Sequence, residues 1–179
     1  MIVVDNKDRI LGYAPRSLCH TGKGRRHRAF VVALYNDRGE LLLQRRKHDL
    51  FSNKWDLTGA SHPLRLKSRN ETYSEAAARC VRKEFGVRGI SFRKIGAFNY
   101  LVPQGKKCEN EHCAVIVGKY DGKVKANPKV AYGYKWVAFG EVLKKIRKTP
   151  GSFVMWARLG AKVLRNHRVG KYLLATCKE

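Results

Sequence analysis

The chain has 179 residues, of which 44% are hydrophobic and 10% aromatic, so it can bury a core and does not belong to the disordered class. Its 38 Lys and Arg residues outnumber 14 Asp and Glu, and the net charge of +24 serves either solubility in a particular ionic milieu or a polyanionic partner such as RNA, DNA or a phosphorylated small molecule. The chain has no run of about 18 apolar residues, so no membrane span is predicted. Five irregularly spaced cysteines and a charged N-terminal segment, unlike a signal peptide, indicate a cytoplasmic location.

The first half of the chain predicts β-structure and one helix. A short strand at 1–5 is followed by its return strand. Two β-rich runs on either side of a polar turn predict a hairpin, at 29–35 and 40–46. A long irregular loop is predicted at 47–72. The helix predicted at 73–86 has strong helix formers and Gly86 as its stop signal.

The second half predicts alternating strands and then helices. Three strands are predicted, at 89–102, 112–120 and 133–139. A helix ends at Thr149-Pro150, and an amphipathic helix at 152–166 precedes a basic tail. In that helix Val154, Leu159 and Val163 are expected against the core, with Arg158, Lys162 and Arg165 outward. The whole pattern predicts one α+β domain over 1–179, ending in a basic helix and tail at about 152–179.

Two of the scarce carboxylates, Glu109 and Glu111, lie one residue apart at the start of an apolar run. Residues i and i+2 of a strand share a face, so both side chains point to one place. A Glu-x-Glu pair is usually a solvated strand edge. Its functional interpretation is a site for a cation.

The predicted helix at 73–86 carries part of a known motif, the Nudix box. Its matching residues are Glu71, Arg79 and the run Glu84-Phe85-Gly86-Val87, whereas two of the box glutamates are replaced by Cys80 and Lys83. In the Nudix family a loop–helix–loop presents glutamates that hold Mg²⁺ against a substrate diphosphate. Carboxylates suit this task because Mg²⁺ prefers oxygen ligands. The resemblance therefore implies Mg²⁺ with a substrate diphosphate near Glu84.

Four further stretches make the chain resemble one Nudix branch, the type I isopentenyl-diphosphate isomerases, over roughly residues 1–160. These stretches are CHTGKGRRHRAF with His20 and His27, ASHPL with His62, ENEHC with the Glu pair, and TPGSFVMW. That branch has also lost the two box glutamates. The resemblance implies a Nudix fold, in which a mixed β-sheet is sandwiched between α-helices.

In such isomerases three histidines and two glutamates coordinate one divalent metal. By resemblance, the corresponding residues of this chain are His20, His27, His62, Glu109 and Glu111. Neutral imidazoles with carboxylates form a nitrogen and oxygen site that suits Mn, Zn, Fe or Mg. A single histidine is more often a structural hydrogen-bonding residue, and this remains the interpretation of His48, His112 and His167.

The resemblance also implies catalytic residues, one of which is absent. Isomerisation adds a proton at one carbon and removes one from another, and needs an acid or base on each face of the substrate. On one face the family uses the second glutamate of the pair, here Glu111, helped by a tyrosine, here Tyr100. On the other face it uses a cysteine, whose position is occupied by Ala60. The surrounding DLTGASH is more similar to related Nudix hydrolases, which favours a natural difference over an engineered Cys→Ala change.

A diphosphate is bound by cationic side chains, and the resemblance implies several residues of this chain for that role. Arg16 replaces a family lysine, Arg46 and Arg79 match family arginines, and Trp156 lies in the family's Thr-Pro…Trp segment. The loop after Arg46 is shortened and lacks a family lysine, for which Lys47 or Lys54 are candidates. In a chain of net charge +24, any one arginine can also be merely a solvated charge.

Three functions are therefore compatible with the sequence. The first is a metal-dependent enzyme that acts on a prenyl diphosphate, like the isomerases. The second is a Nudix diphosphohydrolase of a nucleotide-type diphosphate, which needs no cysteine but is weakened by the missing box carboxylates. The third is a non-catalytic protein that binds RNA or a phosphorylated ligand through the basic surface. The oligomeric state is open, and a monomer is compatible with the sequence.

Overall fold

A computed structural model describes residues 1–176, in which nine strands form one mixed sheet flanked by helices. The strands are β1 (Ile2–Val4), β2 (Ile10–Tyr13), β3 (His27–Tyr35), β4 (Glu40–Arg46), β5 (Trp55–Asp56), β6 (Gly59–Ser61), β7 (Phe92–Gln104), β8 (Lys107–Lys119) and β9 (Ala131–Ala138). The helices are α1 (Arg16–His20), α2 (Tyr73–Phe85), α3 (Phe139–Lys148), α4 (Met155–Asn166) and α5 (Arg168–Thr176), with a short 3-10 helix at Pro150–Ser152. Cys177 and the end of the predicted basic tail lie outside the described residues.

The centre of the sheet is β3. Along its whole length it pairs with β8 in parallel, so that His27 lies opposite Glu111. Its other edge pairs in succession with β1, β6 and, at Tyr35 only, β4. The antiparallel pairing of β7 with β8 completes this side of the sheet. The register brings residues from distant parts of the chain to the N-terminal end of β3.

Alternate residues of β3 supply two hydrophobic cores. Val31 and Ala33 face the layer that contains α3, α4 and α5, whereas Phe30 and Val32 face α2. This alternation follows from the two-residue period of a strand. The predicted α+β architecture, a mixed sheet between helices, is confirmed.

Helix α2 is capped at both ends. At its start the Thr72 side chain accepts from the backbone of Glu75, and the Glu75 carboxylate accepts from the backbone of Thr72, which forms a capping box. At its end Gly86 takes the left-handed conformation with φ of 69°, which any residue with a Cβ adopts at a cost. The predicted helix is confirmed, and Gly86 is its cap.

The predicted hairpin at 29–35 and 40–46 is wrong in its pairing. A turn joins β3 to β4, but the two strands share one residue pair and then diverge, because β3 pairs with β8 and β4 pairs with β9. The apolar run in β3 is continuous rather than alternating, which is typical of a strand buried on both faces. Local turn chemistry therefore gave the correct connection and the wrong partner.

Three further differences separate prediction from structure. The segment predicted as a long irregular loop contains two short strands, β5 and β6, which are held by pairing with β4 and β3. The tail after residue 166 forms helix α5, which covers apolar residues of α3 and α4. Strand β8 begins five residues before the predicted position, so that the Glu pair lies within the strand.

Helix α4 faces the core with more of its surface than expected. Val154 just before it is buried as predicted, but Leu159 and Val163 are half-buried, and the core positions within the helix are Trp156, Ala157, Gly160, Ala161 and Leu164. A Cβ added at Gly160 would lie 3.0 Å from Val31 Cγ1, so the helix approaches the sheet closely there. Arg158 is half-buried, and Lys162 and Arg165 are exposed. Within residues 1–176, the helices are too short or too polar to cross a bilayer.

Candidate metal centre and active site

Five side chains from four parts of the chain converge at the N-terminal end of β3. They are the predicted ligands His20, His27, His62, Glu109 and Glu111, and one ligand atom from each lies within 4.8 Å of those of the others. Helix α1 ends at His20, β3 begins at His27, His62 follows β6, and β8 carries the two glutamates. All are buried except His62, which is half-buried.

Backbone carbonyls set the orientation of two imidazoles. Nδ1 of His20 lies 3.1 Å from the carbonyl oxygen of Arg16, and Nδ1 of His27 lies 2.9 Å from that of Arg25. Only a protonated Nδ1 can donate to a carbonyl oxygen. In the neutral ring Nε2 then carries the free lone pair, and in both residues it faces the cluster. Such outer contacts are typical of histidines that bind metals.

The converging atoms do not satisfy one another. Nε2 of His20 lies 3.2 Å from Oε2 of Glu109, and Nε2 of His27 lies 3.6 Å from Oε1 of Glu111. Both nitrogens and this Glu109 oxygen are nevertheless buried without a hydrogen bond. Buried polar atoms are rarely left unpaired, because the lost hydration costs free energy. A divalent cation accepts such a set of nitrogen and oxygen lone pairs, so these residues fit a metal ion.

The charge states of the cluster also favour a cation. Burial lowers the pKa of His62 to about 4, which keeps its ring neutral near pH 7. Burial alone would raise the pKa of Glu111, but the neighbouring imidazoles of His27 and His62 outweigh burial and hold this pKa well below its ordinary value. Burial and the nearby charge of Glu111 raise the pKa of Glu109, so its ionised form needs a positive charge beside it. Neutral histidine and ionised glutamate are the forms that metal binding requires.

Tyr100, on β7, touches the cluster from the neighbouring strand. Its hydroxyl donates to Oε2 of Glu111 at 2.5 Å, and His62 Nε2 lies 2.9 Å from Oε1 of the same carboxylate. Burial raises the pKa of Tyr100 far above its ordinary value, so the hydroxyl keeps its proton. The predicted pair of Glu111 and Tyr100 is thus one hydrogen-bonded unit.

A cavity of about 200 Å³ opens beside this unit. Most of the other predicted site residues line it, namely Arg16, Arg46, Ala60, Glu84 and Trp156. Two residues without a predicted role, His48 and Lys83, also line it. An adjoining space of about 560 Å³ shares Arg16 and Arg46 and adds the cations Lys47, Lys107 and Lys129. The cavity therefore has a carboxylate and imidazole end and a strongly basic mouth.

Asp56, on β5, positions two of these lining residues and was missed in the sequence. Its Oδ2 accepts from Arg46 Nη1 at 2.9 Å and from Trp156 Nε1 at 2.8 Å. The Arg46 guanidinium also lies 4.8 Å from the centre of the Trp156 ring, a cation–π contact. The partners of Asp56 are ten and one hundred residues away, so no local pattern indicates its role.

Arg79 does not line the cavity, although the sequence predicts it as a substrate ligand. Its Nε and Nη2 each donate at 2.8 Å to Glu71, and Nη2 also donates at 2.9 Å to the carbonyl oxygen of His62. The guanidinium is thus engaged in holding the segment that carries His62. Glu71, the first carboxylate of the partial Nudix box, pairs with Arg79 rather than facing the cavity.

Glu84 lines the cavity but lies outside the five-residue cluster. Gln44 Nε2 donates to it at 2.7 Å and Cys80 Sγ at 3.4 Å, and burial raises its pKa. With Cys80 and Lys83 at two other box positions, it is a single buried carboxylate. A second ion there would need oxygens from a bound substrate, as the sequence predicts.

Comparison with known proteins matches the chain to the NUDIX domain over residues 25–157. It is 32% identical over 159 residues to "Isopentenyl-diphosphate Delta-isomerase 2" of Aromatoleum aromaticum, and the aligned region covers 87% of this chain and 81% of that protein. It is 31% identical to "Isopentenyl-diphosphate Delta-isomerase" of Enterobacter sp., and the aligned region covers 87% of this chain and 85% of that protein. The crystal structure of DR0079 from Deinococcus radiodurans has the same fold, with a TM-score of 0.68 at 22% identity, covering 90% of this chain and 96% of that one. The chain therefore belongs to the Nudix family and is similar over most of its length to the isopentenyl-diphosphate isomerases of that family.

Proposed function

We propose that this protein is a metal-dependent enzyme that acts on a small prenyl diphosphate of the isopentenyl type and moves a proton to or from its carbon chain. One observation carries the proposal: the hydrogen-bonded pair of Tyr100 and Glu111 lies on the His/Glu cluster and lines the same cavity as the basic residues. The names of the similar proteins support this substrate class.

The lining of the cavity suits both parts of such a substrate. Arg16, Arg46 and Lys83 line the cavity, where their positive charge favours a diphosphate. Trp156 and Ala60 provide apolar surface for a short hydrocarbon chain. Asp56 holds Arg46 and Trp156 together, so it orients both the cationic and the apolar contact.

Proton transfer is assigned to Glu111 with Tyr100. The Tyr100 hydroxyl retains its proton because burial raises its pKa, and the ionised Glu111 accepts from it. This unit can exchange a proton with a substrate carbon on the side that it faces. A divalent ion in the His/Glu cluster would supply positive charge that stabilises the ionised carboxylates. Mn, Zn and Mg are the candidate metals, and Mg with the substrate diphosphate near Glu84 is a second candidate ion.

Ala60 limits the activity that we propose. Its methyl group has no proton to transfer, so the face opposite Glu111 lacks the acid or base that the similar isomerases provide. A general acid or base typically contributes about 10²–10⁴-fold. We therefore propose slow isomerisation, with proton exchange at one face faster than complete double-bond movement.

A second candidate function, hydrolysis of a nucleotide-type diphosphate, is favoured by two observations. Ala60 is no obstacle to hydrolysis, and Glu84 of the Nudix box lines the cavity. Against it, Glu71 is paired with Arg79 and the other box positions are Cys80 and Lys83. One carboxylate with a raised pKa is a weak site for an ion and for activating water.

The test is incubation with isopentenyl diphosphate and Mn²⁺ or Mg²⁺ in D₂O, followed by mass spectrometry. We expect metal-dependent deuterium incorporation with little dimethylallyl diphosphate. The variant Ala60→Cys should raise isomerisation by about 10²-fold or more, and Ala60→Ser is the matched control without a thiol. Phosphate release from nucleoside diphosphate compounds, without deuterium incorporation in either variant, would contradict the isomerase-like proposal and favour hydrolysis.

A further inference from the structure

A second concave site lies between α3 and α4. It is a groove of about 630 Å³ that shares no lining residue with the cavity beside the His/Glu cluster. Its floor is apolar, with Leu143 and Ile146 from α3 and Met155 and Leu159 from α4. Residues three or four apart share one face of a helix, so each helix contributes a pair of apolar side chains to the floor.

The rim of this groove is cationic on both sides. Lys144 and Arg147 come from α3, and Arg158, Lys162 and Arg165 come from α4. From residue 139 to 176 there is one acidic residue, Glu141, and its carboxylate binds Lys144 at 2.7 Å. Among the described residues, the side chains of Arg147, Arg158 and Lys162 have no hydrogen-bond or ion-pair partner. The rim therefore holds uncompensated positive charge around an apolar floor.

Size decides what kind of ligand fits. Ten residues line the groove, whereas a stable protein interface uses roughly 20–30 residues on each side. Its volume lies within the range of about 300–1,000 Å³ that is typical of small-molecule sites. The positive charge of the rim would attract RNA, but the floor has no aromatic ring on which a base could stack. A flat bilayer would not reach half-buried residues at the bottom of a concave groove.

We infer that the groove binds a small amphiphilic anion, an aliphatic chain with a terminal phosphate. The chain would lie on the floor against Met155 and Leu159, and the phosphate would accept hydrogen bonds from rim cations such as Arg158 and Lys162. This site is independent of the proposed catalytic function, since it uses none of the residues of the cluster or its cavity.

A methyl NMR titration tests the site directly. The chain has two methionines, Met1 and Met155, and only Met155 lines the groove. In protein labelled with ¹³C at the methionine methyl groups, decyl phosphate below its micelle concentration should shift the Met155 signal saturably and leave Met1 in place. Butyl phosphate has the same head without the chain, and decyl maltoside has the chain without the charge, so both should bind at least about tenfold more weakly.

Variants distinguish binding in this groove from non-specific attraction of an anion to a basic protein. Arg158→Gln/Lys162→Gln and Leu159→Asn should each weaken decyl phosphate by about tenfold or more. The charge-matched control Lys123→Gln/Lys125→Gln, in the loop beside α2, should leave the affinity unchanged; circular dichroism checks that each variant folds. Four results would each overturn the inference: no saturable Met155 shift in the wild-type protein, equal shifts with butyl phosphate, equal weakening by the control variant, or a Met155 shift with single-stranded RNA in place of decyl phosphate.

Discussion

The buried ion pair between Arg46 and Asp56 predicts a large and specific loss of stability. Asp56 is 0% exposed and Arg46 is 7% exposed, and the carboxylate also accepts from Trp156. Replacing Asp56 by Asn keeps an oxygen for Trp156 but removes the charge that balances the guanidinium. The Arg46 cation then remains buried beside a neutral amide.

The expected cost follows from this geometry. Removing one partner of a buried ion pair typically costs about 3–5 kcal/mol, because the other charge stays desolvated. Replacing both partners by apolar residues of similar size is often close to neutral. Arg46→Met/Asp56→Leu loses the acceptor of the Trp156 indole, at about 1–3 kcal/mol, and the cation–π contact between Arg46 and the Trp156 ring. The double variant should therefore be more stable than Asp56→Asn alone.

Urea denaturation of the metal-free protein at pH 7 measures this difference. Asp121→Asn is the control, because that carboxylate is exposed and lies 3.9 Å from Lys119; it should change the free energy of unfolding by less than about 0.5 kcal/mol. An Asp56→Asn variant whose stability stayed within about 1 kcal/mol of wild type would contradict this cost. A double variant less stable than Asp56→Asn would contradict it as well.

Other consequences can be measured separately. The pKa of His62 is lowered to about 4 in the folded protein, from 6.5. As the pH falls, His62 is therefore protonated in the unfolded chain before it is protonated in the folded protein. The metal-free protein should lose up to about 3 kcal/mol between pH 6.5 and 4; an equally steep loss in His62→Gln, by urea denaturation, would contradict this. Thr72→Ala removes the cap of α2 and should lower the free energy of unfolding by about 0.5–2 kcal/mol, whereas a neutral effect would argue against the cap. Tyr100→Phe should reduce deuterium incorporation by about 10²-fold or more while metal content is kept, and unchanged incorporation would exclude the tyrosine from proton transfer. If the basic C-terminal helices bind RNA, Lys162→Gln/Arg168→Gln should flatten the salt dependence of RNA affinity, and an unchanged slope would remove them as the RNA surface.

Local sequence signals predicted where helices and strands form better than they predicted which strands pair. Strong helix formers and the stop signal at Gly86 predicted α2, and the structure ends the helix where Gly86 indicates. The pairing of β3 with β8 depends instead on residues about eighty positions apart. The turn at Gly39 predicted a local hairpin because turn chemistry says nothing about which distant strand competes for the same edge.

The candidate site shows the same division. Each histidine of the cluster is uninformative alone, and the resemblance to a family identified the set, which the structure brings within reach of one ion. Asp56 could not be found because its role depends on Arg46 and Trp156 meeting in space. The place of Arg79 also needed the structure, since an arginine that binds a diphosphate and one that binds Glu71 are alike in sequence.

Metal analysis is the most direct test of the central claim, that the His/Glu cluster holds a divalent ion. The wild-type protein, Glu109→Gln/Glu111→Gln and the control Glu141→Gln, whose carboxylate is exposed, would each be loaded with Mn²⁺ or Zn²⁺. After desalting, elemental analysis gives the ions bound per chain. We predict about one ion in the wild type and the control, little in the double variant, and weaker binding at acidic pH because the ligands must lose protons. Equal metal content in the wild type and the double variant, or negligible metal in the wild type at neutral pH, would contradict the account.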